Sequence, residues 1–586
     1  MMDSLMRALL RTDHAFLAVL FVGLFAMAAR NATDPDLWWH LKAGQYITEH
    51  RSIPRTDPFS YTRSGAPWVA HEWLTEFFLF QLEQRAGWAG LIVTFAAVVA
   101  AALFLLYLRC RCDPYIAGPL LLLAAWATAP LWGVRPQVLS FLLSSLWLLI
   151  LERAGRRPKL LWWTLPLMLL WVNLHAGFAL GLALSALFLA GESIERALGL
   201  RPQGSAPGLG KAALILLLDG LIVPLNPNGL RLFSYPIETL RSAAMQNYIA
   251  EWASPNFHRA EYWPFLLLVL ATFSALNWSR DPERPRDLGL LMVSLFAALG
   301  SVRLIPLFVL VAVPILCQRL GNWRRRSPRH LPSRPPANLL LNGAVVVAMA
   351  AFAGTHTARV VEQQGEAEVA HFPTGAVRFL QAHPPSGPIF NHYDWGGYLI
   401  WKLYPAIRVF VDGRADLYGQ PLLDQFADTY QFQGNWRQPI DRWGITTVLV
   451  PPDSALAVGL RMVPGWKIAF EDNKAVILVT AAPPVQAETN ATRSAIANPG
   501  PETQVPKPRS RNPVSEPRSR TIRAKMHRGY HWYAINYTSG HSAGYYEGES
   551  WSEPKAATTC SEAWAGPELC LCHDWDAPVA RRLMFS

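Results

Sequence analysis

Two carboxylates stand two residues apart in Asp34-Pro35-Asp36-Leu37-Trp38-Trp39-His40, directly after the first long apolar run. Such a pair can hold a divalent cation such as Mg²⁺ or Mn²⁺, or one member can take a proton from a nucleophile. Asp34 and Asp36 are therefore candidates both for catalysis and for metal ligation. Asp36 also stands where an N-cap would start a helix over Leu37–His50. Trp38 and Trp39 are of a type that settles at a membrane–water interface. The plain alternative is a capped interfacial helix. A third acid, Glu72, follows in Trp68-Val69-Ala70-His71-Glu72-Trp73-Leu74. It is a further catalytic candidate, as base or ligand; otherwise it is a first-turn acid favoured by the helix dipole.

Other polar side chains interrupt apolar sequence. Arg135, Asn173, His175, Asn226, Asn228, Glu251 and Arg303 all fall at one set of helix ends, and Asp219 one to two turns inside. Ionisable groups at such depth face a partner or a cavity. Arg135 and Arg303 could hold a phosphate by charge-assisted bonds, and His175 stands with them as a substrate-binding candidate. Each could instead be a loop residue or a snorkelling anchor. Farther on, Asn391-His392-Tyr393-Asp394-Trp395-Gly396-Gly397-Tyr398 and Val411-Asp412-Gly413-Arg414-Ala415-Asp416-Leu417-Tyr418 follow strand-like runs. Asp394, Trp395, Asp412 and Arg414 are binding candidates there, because α/β sheets build sites on such loops. Tight Asp/Gly turns are the alternative.

The elements that must position these residues are mainly apolar. Hydrophobic residues make up 51% of the 586 and charged residues only 16%, and there are 24 Trp. That excludes a disordered chain and argues against a single soluble globule. Apolar runs cover 14–29, 88–108, 115–151, 160–191, 211–225, 263–277, 288–317 and 339–354. A span needs about 20 residues, so 115–151 and 160–191 are too long for one crossing. They break at Gly133-Val134-Arg135-Pro136 and Asn173-Leu174-His175, and 288–317 breaks at Gly300-Ser301-Val302-Arg303. Each reads as a helical hairpin, giving about eleven spans. Lys and Arg gather in alternate loops: Arg7 and Arg11, Arg109 and Arg111, Arg153 to Lys159, Arg196 and Arg201, Arg280 to Arg286, and 319–334. The positive-inside rule then makes the N-terminus cytoplasmic and places everything after Gly354 outside. The same rule accounts for much of the net charge of +11, so no nucleic-acid partner is expected. The first run, with Ala26-Met27-Ala28 after it, also fits a cleavable secretory signal.

The expected organisation is a transmembrane domain over 1–355 with a long outer loop at 30–87, then an extracytoplasmic α/β domain over 356–480. Strand-like runs within that domain are 388–390, 408–412, 446–450 and 475–479. Residues 481–586 turn rich in Pro, Ser, Thr and Arg and read as a disordered linker and tail. Cys560, Cys570, Cys572 and His573 lie in that tail at a spacing that fits no standard zinc pattern. The chain carries no Walker-type loop, no H-E-x-x-H and no nucleophile elbow, which disfavours ATP-driven transport by this chain alone, zincin proteolysis and α/β-hydrolase chemistry.

An apolar first segment, a long outer loop opening on paired acids, about ten further spans and an outer α/β domain together resemble the GT-C glycosyltransferases. These are integral membrane enzymes that use polyprenyl-phosphate-linked sugars. The resemblance covers roughly residues 13–480, and 34–40, 68–74, 391–399 and 411–418 resemble a bacterial branch of such proteins. It implies a polytopic α-helical fold of the cell membrane and hexosyl or pentosyl transfer from a lipid-linked donor. The acceptor would be an extracytoplasmic glycan, lipid or protein. It also implies that an acid of the first outer loop, here Asp34 or Asp36, acts as base or metal ligand. Asp394-Trp395-Gly396-Gly397-Tyr398 echoes the acceptor motif of oligosaccharyltransferases with its first Trp pair missing and its order changed, so peptide binding is not carried across. Two other classes compete. A lipid or polysaccharide transporter would bind with the same charges and not react, and an assembly scaffold would use the outer domain and tail.

Overall fold

A computed structural model describes residues 11–200, 208–278, 284–326 and 338–480, and these form one compact unit. The expected linker and tail at 481–586, with Cys560, Cys570, Cys572 and His573, lie outside the described residues.

The eleven apolar segments all form helices: α1 Thr12–Ala28, the second half of α3 Trp73–Tyr107, α4 Pro114–Thr128, α5 Pro136–Ala154, α6 Thr164–Leu174, α7 Phe178–Ala197, α8 Leu209–Ile222, α10 Trp263–Trp278, α11 Pro285–Gly300, α12 Ile305–Arg326 and α13 Leu339–Glu362. Outside those segments this stretch also holds α2 Leu37–His50, α9 Arg231–Arg241 and the short helix Ala243–Tyr248. Among the described residues, seven helices are long and apolar enough to cross a membrane, so the expected count of about eleven spans is not confirmed. Helix α1 falls one residue short of that length at 17, and α6, α8 and α11 hold 11, 14 and 16 residues. Short 3₁₀ turns extend α6 and α8 at their ends.

The three hairpin breaks fall where the sequence placed them. Helices α4 and α5 are separated at 129–135, α6 and α7 at 175–177, and α11 and α12 at 301–304. The cause is local. Pro136 opens α5 without needing the hydrogen bond it cannot make, and Ser301 is extended. Each break carries one candidate cation or imidazole: Arg135, His175 and Arg303. Helix α3 is 35 residues long and changes direction at Gly87, whose φ of 55° strongly favours glycine. Its first half stands between α2 and the helical bundle, and its second half is the span expected from Trp88 onward.

The α/β portion holds a four-stranded sheet in the order β1-β2-β4-β3, with β1 Ile389–Asn391, β2 Thr447–Val450, β3 Trp466–Glu471 and β4 Val476–Thr480. Strands β1 and β2 are parallel and the other pairs antiparallel. Two corrections apply. The run 408–412 is no ladder strand. The Phe410 N–H donates to the side chain of Asn391 (2.8 Å), and Val409 pairs with Ser60 of the first outer loop in an isolated bridge. The loop therefore takes the place of a neighbouring strand. Strand β3 escaped the pattern reading because it is an edge strand with a mostly part-exposed, irregular burial pattern.

The expected interfacial role of Trp38 and Trp39 is also corrected. Trp38 is fully buried, edge-on to Trp88, Phe372 and Tyr398 at 4.8–5.4 Å. Helix α2 is thus a core element joining loop, bundle and outer domain.

Glycines set how closely the outer domain approaches. A Cβ at Gly397, in α14 Gly396–Leu403, would lie 2.5 Å from the carbonyl oxygen of Pro35. A Cβ at Gly413 would lie 1.8 Å from the Asp36 carboxylate. Gly397→Ala should therefore lower thermal stability by about 1–3 kcal/mol through overpacking, as a melting experiment on the purified protein in detergent would show. An unchanged melt would contradict this packing.

Candidate active site

The loop that follows α1 builds one side of the site. Asp34 Oδ1 accepts the backbone N–H of Asp36 at 2.9 Å. Asp36 is the residue before α2 but makes no side-chain cap, contrary to the sequence expectation. Its Oδ1 accepts the indole N–H of Trp39 at 3.0 Å instead, and among the described residues Oδ2 has no hydrogen-bond partner. Burial, then the charge of Asp34, pushes the Asp36 carboxyl up to about 6. Among the described residues Asp394 makes no hydrogen bond or ion pair, and burial followed by Asp34 pushes it to about 6 as well.

Arg135 leaves the α4–α5 break and meets this loop. Its Nε lies 2.8 Å from Asp34 Oδ2, and its terminal nitrogens bind Glu251. Burial works against the charge, but these two acids hold its pKa above the ordinary value. Arg135 is therefore committed to protein carboxylates, not free for phosphate as the sequence reading expected. Arg303, from the α11–α12 break, differs. It lies over the Trp252 ring at 5.5 Å, and among the described residues it makes no hydrogen bond or ion pair. Its charge still reaches Glu251 and His175.

Glu72, at the start of α3, is enclosed by three imidazoles. His71 Nε2 and His175 Nε2 approach Oε1 at 3.0 and 3.4 Å, and His40 Nε2 approaches Oε2 at 3.5 Å. The partners fix the protons. His71 Nδ1 faces the Val69 carbonyl at 3.1 Å. Carbonyl and carboxylate only accept, so both nitrogens carry hydrogen and His71 is an imidazolium. His175 Nδ1 accepts the Gly177 N–H at 2.9 Å, so its proton sits on Nε2 and points at Glu72. The Ser140 hydroxyl braces the same Nδ1 at 2.7 Å. Burial pushes His175 down to about 3, helped by Arg303 and opposed by Glu72. Burial opposes charge on His71 too, but Glu72 overcomes it and raises the pKa. Burial would raise Glu72; His71 outweighs it and holds the carboxyl well below the usual range. His40 also faces Glu76 at 3.4 Å, and against burial its pKa is raised. Tyr235 of α9 packs against His71 with the rings tilted by 40° at 4.6 Å and donates to Asp416 at 3.0 Å.

Asp412 and Arg414, expected to bind substrate, do something else. Arg414 is 3% exposed and bonds both oxygens of Asp412 (2.8 and 2.7 Å) and Asp57 Oδ1 (2.9 Å). It also lies over the rings of Trp68 and Phe59, at 4.7 and 5.3 Å. Asp57 is further held by the N–H groups of Phe59 and Ser60, and Asp412 by the Tyr418 hydroxyl. This buried clamp ties the outer domain to the first loop. Trp395 is buried as well, 4% exposed and packed near His392, and offers no open ring face.

Of the ten residues singled out from sequence, Asp34, Asp36, Glu72, Arg135, His175, Arg303 and Asp394 form one electrostatically linked group. Asp412, Arg414 and Trp395 lie behind it. His40, His71, Asp57 and Tyr393 were not expected as site residues, and Glu251 was expected only as one of the polar residues at the helix ends. The adjacency of His71 to Glu72, and of His40 to Asp36 on the first turn of α2, were the signals available. A separate cavity, lined by Thr164, Ser185, Glu192 and Asp219 among others, lies within the bundle. Asp219 is buried there and accepts from Thr164 at 3.0 Å.

No protein-family model and no curated protein sequence matches the chain. Among solved structures it is similar to the archaeal oligosaccharyltransferase AglB from Archaeoglobus fulgidus, in complex with an inhibitory peptide and a dolichol-phosphate. That match has 10% identity and a TM-score of 0.48, over 81% of this chain and 75% of that one. ArnT from Cupriavidus metallidurans bound to undecaprenyl phosphate follows, at 14% identity and a TM-score of 0.46 over 79% and 97%. The arabinofuranosyltransferase AftD from Mycobacteria shares 16% identity at 0.44 over 80% and 41%. At such identities and scores the likeness has no weight for the chemistry.

The imidazole–carboxylate network has a defined pH signature. The raised pKa of His71 contributes stability that is complete below about 6.5 and lost as pH rises through its folded value. The depressed pKa of Glu72 contributes stability present above about 4.5 and lost as pH falls through its folded value. Melting profiles of wild type and Glu72→Gln should therefore differ most between about pH 5 and 6.5, and converge as pH rises. A gap that widens toward alkaline pH would contradict this assignment.

Proposed function

We propose that the chain is a membrane glycosyltransferase that moves a sugar from a polyprenyl-phosphate-linked donor to an extracytoplasmic acceptor. The observation that carries this reading is the pairing of two uncommitted groups within one linked site: a raised carboxylate on Asp36 and an unpaired guanidinium on Arg303. A transferase needs both, a base for the incoming hydroxyl and a cation for the departing phosphate. The GT-C resemblance of residues 34–40 and 68–74 supports the same assignment.

In this scheme Asp36 Oδ2 takes the proton of the acceptor hydroxyl. The acceptor oxygen bonds to the anomeric carbon as the bond from that carbon to the phosphate oxygen breaks. The electron pair leaves on the phosphate, against Arg303. A carboxyl near 6 is largely ionised at neutral pH yet basic enough to assist. Glu72 and its imidazoles hold the start of α3 and the α6–α7 break in place. Asp34 orients Arg135 and the loop. Both Asp34 oxygens are occupied, so the pair Asp34 and Asp36 fits a Mg²⁺ or Mn²⁺ ion poorly. The proposed proton and phosphate paths run through Asp36 and Arg303 alone.

The site would lie at the outer surface of the cell membrane, with a cytoplasmic N-terminus. The donor lipid would reach it from the bilayer and the acceptor from outside.

In reconstituted membranes given a panel of labelled polyprenyl-phosphate sugars, with and without Mn²⁺, wild type should consume a donor. Asp36→Asn should lose about 10²–10⁴-fold in kcat while inserting normally. Retained turnover in Asp36→Asn would remove Asp36 from the chemistry. Arg303→Ala should weaken donor use by at least about tenfold, as expected for a lost charged hydrogen bond, and unchanged donor use would remove Arg303.

A further inference from the structure

Three thiols gather at the end of the bundle away from this site. Cys110 and Cys112 lie in the turn between α3 and α4, and Cys317 lies on α12. Cys317 is fully buried, while Cys110 and Cys112 are half-buried.

A proline sets their register. Pro314 stands inside α12 and has no N–H to offer the carbonyl of Leu310, one turn earlier. Arg109, just past the end of α3, fills that place. Its Nη1 donates to the Leu310 oxygen at 2.6 Å, and its Nε and Nη2 bind Glu152. On the other side of Cys317, a Cβ at Gly321 would lie 3.2 Å from Cys112 Cβ, and Arg324 Nη1 lies 3.5 Å from Asp113. Residues 109–113 are thus held against α12 by contacts before and after Cys317. The Cys317 thiol is in hydrogen-bond contact with the thiols of both Cys110 and Cys112.

Neighbouring thiols can share a metal ion or be oxidised to a disulfide. Among the described residues no group of three or more Cys, His, Asp or Glu could hold a metal ion. Cys317 alone would be a small apolar core residue; with half-buried thiols against it, it is the inner half of a dithiol.

We propose that Cys112 and Cys317 form a reversible disulfide that ties the α3–α4 turn to α12. Cys112 is the partner because it sits beside α12 at Gly321, whereas the Cys110 thiol donates back to the Leu106 carbonyl at 3.5 Å. The oxidant is a low-molecular-weight disulfide. The Cys112 thiolate attacks one of its sulfurs, giving a mixed disulfide and releasing one thiol. The Cys317 thiolate then attacks the Cys112 sulfur, closing the link and releasing the second thiol. The two protons lost from the cysteines end on the released thiols, and the two electrons reduce the oxidant. With the N-terminus cytoplasmic, this end faces a reducing compartment, where such a bond responds to oxidation and is no permanent staple. The link is independent of the transferase reading, since it lies at the opposite end of α3 from Glu72.

The test uses the full-length protein in lipid nanodiscs, reduced and then exposed to oxidised glutathione. The reaction is stopped with acid, and the protein is unfolded, alkylated and mapped by mass spectrometry without reductant. The expected product is a peptide pair joined through Cys112 and Cys317, lost on adding dithiothreitol, with Cys110 alkylated. It should form at least about tenfold faster in folded protein than in protein unfolded in urea, because the fold holds the two thiols together. Cys317→Ala should stop at the mixed disulfide of Cys112 with glutathione, and its absence there would overturn the proposal. So would wild type in which both cysteines remain alkylated, in which Cys112 stays as the mixed disulfide, or in which either pairs with another cysteine. Equal rates in folded and unfolded protein would overturn it as well.

Discussion

The buried clamp of Asp57, Arg414 and Asp412 is the interaction on which the site depends. Every partner is nearly or wholly inaccessible, and the remaining lone pairs are filled by backbone N–H groups, Ser60 and Tyr418. A buried guanidinium is tolerable only when so completely bonded, and removing one partner of such a group is among the most damaging changes a core can suffer. Through the clamp, the first outer loop and the α/β portion become one body. Gly413, inside the clamp sequence, then lets the backbone lie against the Asp36 carboxylate. Arg414 is thus far from solvent and still decisive for where Asp36 points.

From that constraint the division of charge follows. The loop presents acids; the three helix breaks present Arg135, His175 and Arg303. Arg135 joins the two sets by binding Asp34 and Glu251, and so cannot also serve a ligand. Glu72 gathers His40, His71 and His175 into a satisfied network. Buried ionic networks of this type position side chains more than they add stability. Among the described residues of the site, Asp36 Oδ2, Asp394 and Arg303 make no hydrogen bond, and neither do the buried Tyr393 hydroxyl, Glu76 Oε2, Trp252 indole N–H and His392 Nδ1. Of these, Asp36 and Arg303 are the groups to which chemistry is assigned.

Much of this was legible in the sequence where the cause is local. Helix α2 covers Leu37–His50 as the sequence indicates, although Asp36 does not cap it, and the breaks before Pro136, at His175 and at Ser301 are where polar or turn residues interrupt apolar runs. The misreadings are all long-range. Arg414 resembles a binding cation until Asp57, 357 residues earlier, is found beside it. Trp38 and Trp39 have the composition of a membrane interface, and only the outer domain shows that they are core. The run 408–412 has strand character, yet its partner is a loop rather than a strand. His40 showed in the sequence only its nearness to Asp36, since Glu72 and Glu76, which face it, belong to the start of α3.

The most direct test of the central claim is to locate a bound phosphate. A cryo-EM structure of the protein in lipid nanodiscs with an added polyprenyl phosphate would show where the head group rests. The account expects it against Arg303, with Arg135 still bound to Asp34 and Glu251 and the Asp36–Asp394 face left for the other substrate. A phosphate that displaces Asp34 from Arg135, or that settles in the Asp219 cavity, would contradict it.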